Sequence, residues 1–177
     1  TCSYDRAGIG FSDPLTGDGS SAGAVADLRR LLVAAHIAPP YLLVGQSSGG
    51  MSVRLFYYLH PDDVAGLVLV DPSHEEQDEG FRMVSPRELD RAGWVALRDP
   101  GTQDRLRCID AAHRGVDPAS DEFKGCVVDA PANYPEAIKA WYVRMQASEK
   151  FQRAQGAEEL AVFDQSVTQL RESRRAF

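Results

Sequence analysis

The stretch LLVGQSSGGMSVRLF, residues 42–56, sets two adjacent serines and three glycines between an apolar run and a second apolar run of different rhythm. Within it Gly45-Gln46-Ser47-Ser48-Gly49 fits G-x-S-x-G, a pattern with mechanical meaning where a buried strand turns sharply into a helix. At such a corner the nucleophile occupies a strained turn with its Oγ thrust outward. Residues two positions to either side must be small so that strand and helix can approach. Ser47 is therefore expected to carry the exposed hydroxyl, with Gly45 and Gly49 as its small neighbours. Ser48 would open the helix with an incidental side chain, while its backbone N–H, helped by the helix N-terminus, faces the place where a tetrahedral oxyanion would form. The alternative is a Gly/Ser turn that only caps a helix or cradles a phosphate. The GK[ST] ending of a P-loop is missing, and G-x-G-x-x-G is not matched.

The flanking sequence supplies the elements such a corner needs. From Ser20 or Ser21 as N-cap, Val25, Leu28, Leu32 and Ala35 recur at helical spacing, with Asp27, Arg29 and Arg30 off that stripe, so an amphipathic helix is expected to end near His36. Pro39 and Pro40 cannot continue it. YLLVG (41–45) then reads as a short, wholly apolar strand of the kind buried on both faces. A second helix should start within SSGG and run through Val53, Leu55, Phe56 and Leu59 to His60, where Pro61 ends it. VAGLVLVD (64–71) is another continuous apolar strand. CSY (2–4) reads as a strand end running into a Gly/Pro/Asp loop. Helices of this length join parallel strands, so the expected fold class is α/β, a parallel sheet with flanking helices.

After Asp71 the texture changes to charged helical fragments: EEQDEGFR, SPRELDRAGWVALRD, SDEFKGCVV, YPEAIKAWYVRMQASEKFQRA and EELAVFDQSVTQLRESRRAF. Residues 76–177 are expected to be mostly α. Ala137, Trp141, Met145 and Ser148 make one helical face, and Leu160, Phe163, Val167 and Leu170 another; both read as packing surfaces.

Length and composition bound the function. A chain of 177 residues with 44% hydrophobic and 8% aromatic content is one domain's worth of globular material. The net charge of −7 and the small size of the basic pairs Arg29-Arg30 and Arg174-Arg175 disfavour nucleic acid and anionic membrane surfaces. The longest apolar runs, such as AGLVLV, fall far short of the roughly 18 residues a membrane span needs. The expected partner is a small molecule. There is no initiator Met and no apolar leader at the start, as though something preceded Thr1.

LVGQSSGGMSVRLFYYLHPDDVAGLVLVDPSHEEQ, with SYDRAGIGFSDP upstream, resembles the central part of an α/β-hydrolase of the serine esterase or aminopeptidase-like kind. The resemblance implies that SYDRAGIGFSD is the end of the fourth strand and its loop, YLLVG the fifth strand, Ser47 the elbow nucleophile and VAGLVLVDP the sixth strand. It further implies that residues 1–75 are a partial hydrolase core, and that 76–177 are a helical cap or lid region leading towards a missing C-terminal core. The position before the serine is often His in this group; here it is Gln46, which with His74 becomes a candidate pocket-lining residue.

In this fold the acid and the histidine follow the serine in that order, usually after a seventh and an eighth strand, and neither strand is found before Phe177. The earlier HG-type loop that would donate a second oxyanion N–H is also missing. The chain is thus expected to be an internal fragment of a longer hydrolase. Among its own histidines, His36 and His60 end helices and read as surface or dipole partners, and His113 falls in the cap segment. His74, just past the sixth strand where ligands bind in open α/β sheets, reads as pocket-lining, with the base as the lesser alternative. Asp71 reads either as a triad acid placed after the sixth strand or as a structural strand end. Asp5 and Arg6 read as braces of the loop after their strand. Dehalogenases and epoxide hydrolases of this fold carry a carboxylate at the elbow, so Ser47 implies an acyl-serine and ester hydrolysis first. Amide or peptide cleavage, or perhydrolase or lyase chemistry, stands behind that. A non-catalytic α/β domain that binds a ligand or partner is the reading from a different class.

No cofactor is expected, because the three cysteines and four histidines show no zinc-like spacing. Cys108 and Cys126 stand 18 positions apart in a segment dense with turn residues. A disulfide there would contribute about 3 kcal/mol and would place the protein in an oxidising, extracytoplasmic compartment. Two unrelated thiols remain the alternative. Cys2, on a buried strand, reads as an inert free thiol.

Overall fold

A computed structural model describes residues 2–84 and 103–175, with the backbone alone of 78, 81, 82, 84 and 163. The helical expectation for 85–99 lies outside the described residues, as does the side chain of Phe163. The chain forms two compact units: residues 17–89 with 158–177, and residues 1–16 with 90–157.

The first of these units carries the parallel sheet. Helix α1 (Ser21–Ala34) starts at the expected cap, where Ser20 Oγ accepts from the Gly23 N–H at 3.3 Å. The remaining polar groups at that buried end are met from the end of the chain: Ser166 Oγ accepts from Ser21 N–H and Gln169 Oε1 from Ala22 N–H, both at 2.9 Å. At its other end the Ile37 N–H returns to the Leu32 carbonyl and the His36 N–H to that of Val33, with His36 at φ 55. This is a Schellman ending, which a non-glycine residue fills at some cost.

Strand β1 (Tyr41–Ser47), helix α2 (Ser48–Leu59) and strand β2 (Val64–Pro72) follow in the expected order, and β1 pairs with β2 in parallel. α2 packs on both strands, on α1 and on α7 (Val167–Ser173). Its Met51, Leu55 and Phe56 are fully buried with Leu170 against Val25 and Leu43. Each such side chain stabilises the fold by about 1.5–3 kcal/mol.

The strands depart from expectation on one face. Leu42, Val44, Val68 and Val70, all pointing away from α2, are 67, 61, 43 and 47% exposed. Residues alternate faces along a strand, and α2 packs on the Leu43 side.

β2 leads into α3 (Gln77–Val84), and no strand follows it among the described residues. Where β2 exits, Arg54 on α2 makes a two-pronged ion pair to the buried Glu75 carboxylate at 2.8 and 2.6 Å. Arg171 on α7 donates to the Glu75 carbonyl at 2.7 Å. A five-residue π turn, Val162–Ser166, separates α6 (Glu149–Ala161) from α7. The wider turn resets the helical phase, so Leu160 is left 52% exposed while Leu170 is buried and Val167 packs against the core. The single stripe expected through these residues is therefore broken.

The second unit contains α4 (103–113), α5 (Glu136–Gln146) and most of α6. α4 lies outside the charged helical fragments that the sequence marks. Cys108 and Cys126 form a disulfide with Cα atoms 5.4 Å apart. SDEFKGCVV is one 3₁₀ turn, Asp121–Phe123, followed by irregular chain rather than a helix, because side chains hold its backbone instead. Gln152, with no exposed surface, donates to the Cys126 and Gln146 carbonyls at 2.8 and 2.7 Å. Gln146, also buried, pairs both polar groups of Val128. The buried position on α5 is thus Gln146, off the Ala137/Trp141/Met145 stripe.

Residues 2–4 are not a strand. A strand needs a ladder, and no described segment pairs with them, so Cys2 is an exposed thiol rather than a buried one. The loop beyond is held within its own unit. Asp5 accepts from the Phe11 N–H at 3.1 Å, the Arg6 carbonyl from Ile9 N–H at 2.8 Å, and Lys150 Nζ donates to the Gly10 and Ser12 carbonyls.

Candidate active site

β1 delivers the chain to Ser47 and α2 begins at the next residue. At Ser47 the backbone turns through φ 49, ψ −125, a left-handed conformation that a β-carbon strains, and the side chain is exposed. It is the N-cap residue of α2 but makes no side-chain cap bond. Ser48, as the first residue of α2, contributes an N–H that the helix itself cannot pair.

The glycines divide their work differently from the motif. A β-carbon at Gly45 would lie 2.5 Å from the Gly49 carbonyl oxygen and 2.7 Å from Val53 Cγ2. One at Gly50 would lie 2.4 Å from Pro72 Cβ. One at Gly49 would meet nothing within 4 Å. Close approach of strand and helix is therefore made at Gly45 and Gly50. Gly49 contributes the backbone that Gly45 must clear, and the steric demand expected of Gly49 itself is not found.

Opposite the elbow the register slips. Gln46 pairs with Val70 and Ser47 with Pro72, so Asp71 is an extra residue, exposed and at φ 44. A bulge of this kind re-aims side chains beside active sites. Ser73 N–H donates to the Ser47 carbonyl at 2.9 Å and fixes the two strand ends together. Gln46 and His74 are both exposed at this carboxyl end of the sheet. His74 Nδ1 accepts from the Glu76 N–H at 3.2 Å, within its own turn.

The other histidines lie elsewhere. His36 is at the end of α1. His60 packs edge-on against Phe56; burial lowers its pKa, Arg29 lowers it further and Asp63 opposes, so its neutral form is favoured. His113, in the other unit, pairs with Glu149 at 3.2 Å. Among the described residues no hydrogen bond joins Ser47 Oγ to any of these imidazoles.

One contact at the elbow has no counterpart in the sequence reading. Ser48 Oγ donates to Glu158 Oε1, on the last turns of α6, at 2.6 Å. The side chain expected to be incidental is bonded to a carboxylate 110 residues away, and nothing in local sequence signals that.

Residues 1–98 match the model of a family described as alpha/beta hydrolase fold, which is 98 of the 177 residues. The chain belongs to the alpha/beta hydrolase fold family. The α/β fold expected from the sequence, with its parallel strands and flanking helices, is thereby shown. This hydrolase-fold chain is also 40% identical over 70 residues to the uncharacterized protein YqjL of Bacillus subtilis, covering 40% of the chain and 28% of that protein. It is 41% identical over 98 residues to the uncharacterized protein C23C11.06c of Schizosaccharomyces pombe, covering 54% and 18%. Over 76 residues it is 36% identical to the probable transporter efuK of Hormonema carpetanum, covering 41% and 11%. The chain thus spans less than a third of the length of these curated relatives. Among the described residues no helix is long and apolar enough to cross a membrane, and no group of three His, Cys, Asp or Glu side chains is placed to hold a metal ion.

Proposed function

We propose that the protein is a serine hydrolase that acts on carboxylic esters through an acyl-serine intermediate. The observation that carries this reading is the exposed Ser47 hydroxyl on a left-handed residue between β1 and α2. Ser47 Oγ bonds to the acyl carbon as its proton passes to a base. The tetrahedral oxyanion is met by the Ser48 N–H; the ester C–O bond then breaks, and the departing alcohol takes the proton. Water releases the acid by the reverse sequence. Ser47 and the Ser48 N–H are the two groups assigned; among the described residues no imidazole is bonded to Ser47. Gln46 and His74 line the acyl pocket, and the helical segment after β2 serves as the cap. The Cys108–Cys126 disulfide supports an extracytoplasmic compartment.

The test is fluorophosphonate labelling of the full-length protein with peptide mapping. Ser47 Oγ displaces fluoride from phosphorus, so labelling at Ser47 that disappears in Ser47→Ala is the expected result. A folded protein that takes no label, or labelling that survives Ser47→Ala, refutes the assignment.

A further inference from the structure

The elbow helix lacks the usual devices at its N-terminus. Ser47 makes no side-chain cap, and no acidic residue lies in the first turn of α2. The negative group arrives instead from a distant part of the same unit. Glu158 accepts from Ser48 Oγ at 2.6 Å, within the 2.5–2.7 Å range of a charge-assisted O–H···O⁻ bond. Both residues are half-buried, so the bond is partly shielded from solvent. Ser48 is also the residue whose N–H is assigned to the oxyanion. Its backbone orientation therefore matters to chemistry at Ser47, and its Oγ is one rotatable bond from that backbone.

We infer that Glu158 is a positioning residue of the elbow: by holding Ser48 Oγ it fixes the Ser48 peptide, and with it the direction of the oxyanion N–H. This rests on the serine-hydrolase reading of Ser47. The bond is a tether between the last turns of α6 and the first residue of α2, joining two segments that the chain separates by 110 positions. Its task is geometric, so an uncharged acceptor of the same length can perform it. Deleting an oxyanion donor outright costs roughly 10²–10³-fold. Loosening one that remains present should cost less, about tenfold, since small misplacements already slow reactions steeply.

The experiment measures the rate constant for fluorophosphonate labelling of Ser47, and kcat and KM for p-nitrophenyl acetate, in the full-length protein and in Glu158→Gln, Glu158→Ala, Ser48→Ala and the Ser48→Ala/Glu158→Ala pair. Glu158→Ala and Ser48→Ala should each lower the labelling rate and kcat by about tenfold with KM little changed. Glu158→Gln should retain most of the rate, and the double variant should be no slower than either single one, because both remove the same bond. If Glu158→Ala does not fold, Ser48→Ala and Glu158→Gln decide alone. Equal rates in Ser48→Ala and the wild type, or additive losses in the pair, overturn the positioning role while leaving Ser47 as nucleophile. A wild type that takes no label at Ser47 overturns both.

Discussion

Gly45→Ala and Gly49→Ala make the same chemical change at two positions that the motif treats alike, and the structure sets them opposite signs. At Gly45 the new methyl would come within 2.5 Å of the Gly49 carbonyl oxygen and 2.7 Å of its carbon. Those are backbone atoms of the first turn of α2, so relief requires the elbow to move rather than a side chain to turn. Overpacking of this kind costs about 1–3 kcal/mol. At Gly49 the methyl enters open space, and φ is not positive. Replacement there stabilises by about 0.4–1 kcal/mol, because alanine leaves the unfolded chain less freedom to lose. Urea unfolding of the full-length variants should therefore separate them by about 1.4–4 kcal/mol, the sum of the two ranges. A Gly45→Ala protein within 0.5 kcal/mol of wild type, or a Gly49→Ala protein as unstable as Gly45→Ala, would refute the packing account of the elbow.

Arg54→Met strands the Glu75 carboxylate in a buried site and should cost about 3–5 kcal/mol in unfolding free energy; a loss under 1 kcal/mol would show that water reaches the pair. Burial pushes the Glu75 pKa up, but hydrogen bonds from its own backbone and from Arg54, with the charges of Arg54 and Arg174, outweigh burial and lower it below 4.5. The stability this contributes is present above pH 4.5 and is lost as pH falls through the folded value, so Glu75→Gln should flatten the acid limb of a stability–pH curve. Replacing Cys108 and Cys126 by serine should cost about 3 kcal/mol, read as a lowered urea midpoint; an unchanged midpoint would show that the crosslink constrains little. Val44→Asp, on the open face of β1, should strongly destabilise the full-length protein if further elements cover that face, as the hydrolase reading requires. A neutral effect on folding would mean that the face meets water there too.

Much of the first 72 residues was legible because its signals are local. Ser20 caps α1 and the prolines at 39, 40 and 61 punctuate the elements. The two continuous apolar runs became the parallel strands, within one or two residues of the expected bounds. The rest depends on distant partners. Gln146 and Gln152 lie off the apolar stripes, yet they are buried because each satisfies backbone groups of the irregular 126–128 segment. Glu75 and Glu158 read as members of charged helical fragments, and only folding brings the one to Arg54 and the other to Ser48. The π turn at Val162–Ser166 carries no sequence mark that periodicity could detect, and it is what splits the Leu160–Leu170 stripe.

The elbow shows how far local sequence can carry a catalytic argument. A strained serine and its first-turn N–H are both made by the five residues Gly45–Gly49 around one corner, so G-x-S-x-G in a strand-to-helix context suffices to find them. What holds the corner in place is not local. Gly50 yields to Pro72, Ser47 is tied through its carbonyl to Ser73, and Ser48 through its hydroxyl to Glu158. Each of those partners sits on a segment that reaches the elbow only through the fold. Strain at a functional residue persists only when its surroundings over-determine it. The positive φ of Ser47 is therefore a property of β2 and α6 as much as of the motif. Variants at Pro72 or Glu158 should therefore disturb the conformation of Ser47 from outside the motif.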